Sequence, residues 1–123
     1  MVYYAFNSYD ETVYIWDVRS LQHPMKELNV GGGVWRLKWC PSKPHGHLLA
    51  AACMHNGFHV IHANAQTAEP LAVVASYSEH KSLAYGVDWC HGQLEKTDSK
   101  NQLTLASCSF YDHSLQIWRT KLM

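Results

Sequence analysis

The chain has 123 residues, the size of one ordinary domain, and 47% of them are hydrophobic, enough for a packed core and too many for a disordered chain. Ten Lys/Arg balance ten Asp/Glu at a pI near 7.1, without the basic footprint that nucleic-acid binders and polybasic membrane binders rely on. The longest apolar run, Leu48 to Met54, is far short of a bilayer span, and the opening residues lack the basic and apolar regions of a secretory signal.

In chain order, short clusters of β-branched and aromatic residues predict strands at 3–8, 12–17, about 26–30, 33–40, 47–53, 58–63, 71–77, 84–90, 103–109 and 114–119. No segment sustains a helical period. The polar stretch Gln93 to Gln102 reads as an exposed hairpin loop between two of these strands. Cys40, Cys53, Cys90 and Cys108 form no C-x-x-C pair and sit in or beside apolar runs, as small buried hydrophobes of a reducing compartment do. The cytoplasm is therefore the expected location. His59 and His62 share a strand but lie on opposite faces, and His45 and His47 flank a loop glycine, so no metal site is expected.

Three of these segments repeat. Tyr9-Asp10-Glu11-Thr12-Val13-Tyr14-Ile15-Trp16-Asp17 aligns with residues Met54 to His62 and with Tyr111 to Arg119, placing Asp10, His55 and Asp112 in equivalent positions, 45 and 57 residues apart. The Gln93–Gln102 insert accounts for the longer interval. A second match sets Val34-Trp35-Arg36-Leu37-Lys38-Trp39 against Ala84-Tyr85-Gly86-Val87-Asp88-Trp89. The ending Thr12 to Asp17, with its Trp-Asp pair, and the opening His80…Ala84…Val87…Trp89 resemble WD40 repeats, whose period is ~40–45 residues.

That resemblance implies an all-β, WD40-type β-propeller, incomplete, with blade remnants at 1–30, 31–77 and 84–119. It amounts to about two and a half blades of a ring that in WD40 proteins usually has seven. The chain would begin at a second strand and stop after a third, as the C-terminal part of a propeller does. WD40 repeats commonly hold their loops with His, Ser/Thr, Asp and Trp hydrogen-bonded in series. His80, Asp112 and Trp118, with Ser107 or Ser109 as the hydroxyl, are expected to be such a structural set, and Asp10 and Trp16 to be its remnant in the first blade.

The middle repeat has lost this set: Val30, His55 and Ile61 stand at the His, Asp and Trp positions. The same two loops carry Gly31-Gly32-Gly33 before Trp35-Arg36, and Cys53-Met54-His55-Asn56-Gly57. A repeat rule broken without structural gain is where function is expected. Asn56-Gly57 signals a type I′ turn.

The stretches Gly31 to Trp39 and Ala51 to Phe58, with Tyr85-Gly86-Val87-Asp88-Trp89 and Cys108 to His113, are more particular than generic WD40 sequence and resemble the diphthine methylesterase family. Cys40 departs from that pattern, which leads to His before Pro41. The resemblance implies hydrolysis of the methyl ester of methylated diphthine on elongation factor 2 during diphthamide biosynthesis, with that factor as partner and no cofactor. The alternative is a non-catalytic WD40 interaction scaffold. Ester hydrolysis needs a base and an oxyanion stabiliser. His55 is the candidate base, and Arg36 or the backbone of the Gly31–Gly33 loop the candidate oxyanion group. Gly32, Gly33, Trp35 and Tyr85 are expected to meet the substrate, the two aromatics through its trimethylammonium group. Cys53 and Ser109 are possible nucleophiles that more naturally face the blade interior.

Overall fold

A computed structural model describes residues 3–6, 10–17, 19, 22–42, 45–64, 68–90, 102–109, 112 and 114–121, with 3–6, 102 and 121 described by backbone alone. The described residues form ten strands and no helix. They are β1 (Tyr3–Phe6), β2 (Thr12–Asp17), β3 (Lys26–Asn29), β4 (Arg36–Trp39), β5 (Leu48–Ala52), β6 (Phe58–His62), β7 (Ala72–Tyr77), β8 (Ala84–Trp89), β9 (Gln102–Ser109) and β10 (Leu115–Lys121). Every strand expected from the sequence is present; β2 has the bounds expected, β9 starts one residue earlier and β10 ends two residues later than expected. The largest trimming is in β4, whose expected start at 33 is taken up by a glycine turn with Gly31 at φ 80°. Of the Gln93–Gln102 insert only Gln102 falls within the described residues, as the first residue of β9.

The strands form three antiparallel meanders, β1-β2-β3, β4-β5-β6-β7 and β8-β9-β10, in which each strand pairs with its neighbour in sequence. This is the architecture of a partial β-propeller. Register is set by burial on both sides of the middle sheet. In β5, Leu48, Ala50 and Ala52 enter one apolar cluster with Val87, Trp89, Leu103, Leu105 and Trp118 of the third sheet. The alternate residues Leu49 and Ala51, followed by Cys53, enter a second cluster with Val13 and Ile15 of the first sheet. A strand buried on both faces reads as a continuous apolar run, and a one-residue slip would exchange its two faces.

Small side chains in β5 let the flanking sheets approach closely, and larger residues fill the gaps. Phe58 and Val60 of β6 project into the cluster with the third sheet, Ile61 and Ala63 into the other. Tyr77 of β7 stacks on Trp118 of β10 at 4.7 Å with planes 5° apart. At the other side of that interface, Trp89 Nε1 donates to Lys38 O at 2.8 Å, tying β8 to β4.

Two irregularities bear on the site. The β6–β7 register shifts at Val60/Ile61. The β8–β9 register passes from Ala84↔Ser109 directly to Gly86↔Cys108, leaving Tyr85 as the extra residue of a bulge.

Candidate functional site

The set that looks most like a catalytic triad lies in the third sheet. His80 Nδ1 meets Asp112 Oδ2 at 2.9 Å, His80 Nε2 meets Ser107 Oγ at 2.9 Å, and Trp118 Nε1 donates to the same hydroxyl at 3.1 Å. Ser107 rather than Ser109 is therefore the hydroxyl of the series. Burial pushes the Asp112 carboxyl up, but hydrogen bonds from Ser114, His80 and the Lys81 N–H outweigh it and hold the group well below the usual carboxylate range. Ser107 is buried, and its hydroxyl is shared between an imidazole and an indole. In the first sheet Asp10 closes a smaller version. Its Oδ1 accepts from Thr12 N at 3.1 Å and its Oδ2 from the Tyr14 hydroxyl at 2.6 Å, while Trp16 is half-buried on β2.

The middle sheet is built differently. Asn56 N donates to Cys53 O at 2.8 Å, closing a turn whose first central residue, Met54, has φ 43°. Gly57 follows at φ 77°. Asn56 is not left-handed, so the turn is not the type I′ turn that Asn56-Gly57 signals; the left-handed positions lie on either side of it. In the first sheet the left-handed residue is Glu11 at φ 70°, the equivalent of Asn56. Met54 thus bears a conformation that costs a side-chain-bearing residue energy and persists only where its surroundings impose it.

Those surroundings are specific. Met54 O accepts from Ala84 N at 2.8 Å, a bridge from the turn to the start of β8. Asn56 Nδ2 donates to Val30 O at 2.6 Å, and Gly31 N donates to Asn29 Oδ1 at 2.9 Å. Gly32 lies against the turn so closely that a Cβ there would stand 2.2 Å from Cys53 O. Behind it, His59 sits with Nε2 3.4 Å from Asn56 Nδ2 and Nδ1 2.7 Å from Ser76 Oγ. Burial lowers the His59 pKa against an opposing hydrogen bond at the Asn56 backbone.

The expected site residues are distributed around this frame. His55 is exposed at the turn and Arg36 is exposed on β4, opposite Ala52 in the ladder that leads into the turn. Trp35 N donates to Ala52 O at 2.9 Å, and its ring stacks on Tyr85 with centroids 5.3 Å apart and planes 30° apart. Gly32 and Gly33 are buried, so the missing side chain at Gly32 is explained by the adjoining turn. Cys53 is fully buried and burial pushes its thiol up to about 12, which disables it as a nucleophile near neutrality. Ser109 Oγ is buried without a hydrogen-bond partner among the described residues. Tyr9 and Tyr111, which flank equivalent turns in the sequence, lie outside the described residues. No group of three or more His, Cys, Asp or Glu among the described residues is arranged to hold a metal ion.

Sequence reasoning missed the structural part of Asn56 and His59. The only available signal was that both follow the altered His55 position within one turn and strand.

No family model matches the chain. It is similar to curated proteins named diphthine methyltransferase. The homologue from Dictyostelium discoideum is 41% identical over 119 residues, 93% of this chain and 31% of that protein. The Mus musculus protein is 47% identical over 87 residues, 69% of this chain and 18% of its own length. The Schizosaccharomyces pombe protein is 33% identical over 116 residues, 94% of this chain and 33% of its own. The chain therefore spans about a third or less of the length of these relatives. Their shared name points to a methyl group of diphthine and to diphthamide biosynthesis.

Proposed function

We propose, from the premise that this chain belongs to the diphthine methyltransferase family, that its site serves hydrolysis of the methyl ester of methylated diphthine on elongation factor 2. The observation that carries the reading is the rebuilt middle turn. Where the other repeats place an aspartate, this one presents an exposed imidazole on a turn braced from two sides. A braced turn holds His55 in place without an approaching substrate having to order it, which is what a general base requires.

In this reading His55 takes a proton from water as the water oxygen attacks the ester carbonyl. The tetrahedral oxyanion forms beside the guanidinium of Arg36, which is exposed while Gly32 and Gly33 are buried. Collapse breaks the bond to the methoxy oxygen, which leaves as methanol with the proton from His55. The carboxylic acid left on the diphthine side chain gives its proton to solvent, leaving the carboxylate. Acting on a modified protein side chain would make elongation factor 2 the partner and the cytoplasm the place of reaction.

The test is methanol release from elongation factor 2 bearing methylated diphthine, using the Dictyostelium relative with its matching segment replaced by residues 1–123. Release that is lost in His55→Ala supports the reading. Consumption of a methyl donor with no methanol produced would show that the reaction runs toward methylation. Binding of the factor with neither reaction would leave a non-catalytic scaffold.

A further inference from the structure

The outermost strand of a propeller sheet is ordinarily short and protected, because its outward N–H and C=O groups are a template for another strand. The first sheet follows that rule: its outer strand, β3, has four residues and carries Lys26 and Glu27. The outer strand of the middle sheet, β7, does not. Its six residues, Ala72 to Tyr77, include no charge and no proline, and no further strand lies beside it among the described residues. The β6–β7 register passes from Val60↔Ala75 to Ile61↔Val73, so Val74 is the extra residue of a bulge. Val73 and Val74 are 43% and 45% exposed, two consecutive β-branched side chains at the open edge. Both ends of the strand are nevertheless anchored. Leu71, just before it, is buried in the cluster shared with the first sheet, and Tyr77 stacks on Trp118 and donates its hydroxyl to Gln116 Oε1. An edge already held extended needs little ordering when a second strand arrives.

We propose that the outer edge of β7 binds an extended aliphatic segment of a partner protein by antiparallel strand addition, with a basic residue at the segment's N-terminal end. Main-chain hydrogen bonds supply the affinity of such a contact, and alternate side chains supply its selectivity. Aliphatic and β-branched side chains are the favoured neighbours of Val73 and Val74. Charge sets the end. Glu79 is exposed just beyond β7, and an antiparallel segment lays its N-terminal end there, where a base gains and an acid loses. A second copy of this chain fits less well, because in a full antiparallel overlap of two β7 edges the residue set beside Glu79 is Glu69. The edge lies across the sheet from β4, so the binding is independent of the chemistry proposed for the middle turn.

The probe is a short fluorescein-labelled peptide of alternating valine and threonine opened by lysines, titrated into the 123-residue chain. Anisotropy and the hydrogen exchange of the β7 amides are followed together. Saturable binding that slows β7 exchange is expected. Methylating alternate peptide nitrogens should abolish binding in one phase and spare it in the other, since only one set of N–H groups faces β7. Val74→Lys, a charge placed at an exposed edge position, should lose the binding and leave the melting temperature unchanged. Glu79→Lys should weaken the lysine peptide about threefold and favour by as much a peptide opened by glutamates. Absence of saturable binding, binding that survives both methylation patterns, or a Glu79→Lys variant with the parent's preference would overturn the proposal. So would β7 amides that become protected without peptide as the chain is concentrated, since the edge would then belong to a second copy.

Discussion

The Asn56 side-chain amide donates to the Val30 carbonyl at 2.6 Å, joining the middle turn to the loop that would otherwise carry the repeat's histidine. This one bond replaces the His–Ser–Trp–Asp series found in the third sheet. Asn56→Ala should cost ~0.5–1.5 kcal/mol, the net worth of one such bond. Gly32→Ala should be worse, since its new methyl group would overlap the Cys53 carbonyl at 2.2 Å and neither backbone can give way cheaply. Thermal melts of the two variants check the ranking. Gly32→Ala melting like the parent would mean that loop and turn are not in contact.

The exposed His55 and the buried His80 set should separate activity from stability. His55→Ala should abolish most turnover in the chimeric relative while changing stability by no more than ~0.5 kcal/mol, as exposed substitutions usually do. Trp118→Ala should cost ~3–5 kcal/mol by emptying the site stacked on Tyr77. Ser107→Ala strips the shared hydroxyl from His80 and Trp118 and should cost ~1–3 kcal/mol. Activity per folded molecule should survive both. Turnover lost in Ser107→Ala without a change in melting would make the His80 set chemical.

The fold was legible because β-sheet burial writes a period of two into the sequence and the repeats write it three times. Leu48 to Ala52 is apolar throughout because both its faces are covered, and the run marks an inner strand of the four-stranded middle sheet without further help. That the middle turn departs from the other two was legible too, since His55 stands where Asp10 and Asp112 stand in the other repeats. Its construction was not. The sequence pair Asn56-Gly57 promises consecutive left-handed residues, but the Ala84–Met54 bridge belongs to another sheet and moves the strain to Met54. Likewise the bulge at Tyr85 depends on how β8 registers against β9, which no local signal in Ala84-Tyr85-Gly86 announces.

The third sheet shows an apolar stripe. On β10, Gln116 and Trp118 face Tyr77, while the alternate residues Leu115 and Ile117 are 69% and 70% exposed. Two large aliphatic side chains side by side on an open sheet favour association with another sheet face. The 123-residue chain in isolation should therefore elute from size exclusion larger than a 14.0 kDa monomer. The double variant Leu115→Thr, Ile117→Lys should shift it toward the monomer. Identical elution of parent and variant would place the contact elsewhere.

The last expectation concerns acid. His59 is half-buried between the Asn56 amide and the Ser76 hydroxyl, and burial lowers its pKa below the usual value near 6.5. The native state then favours neutral imidazole, while the unfolded chain takes up a proton as soon as pH drops through ~6.5. Because the unfolded state binds more protons in this window, stability rises with pH there, and is lost as pH falls from about 7 towards 5. Burial lowers the His47 pKa as well, beside His62 and His45, so it contributes a slope of the same sign. The contribution of His59 is isolated by His59→Asn, which keeps a polar group near Ser76 but cannot titrate. Melts of parent and variant at pH 7 and pH 5 should show a smaller acid-induced drop in the variant. An equal drop would mean that protonating His59 does not strain the native state, and that the turn carrying His55 is not supported from beneath by a neutral ring.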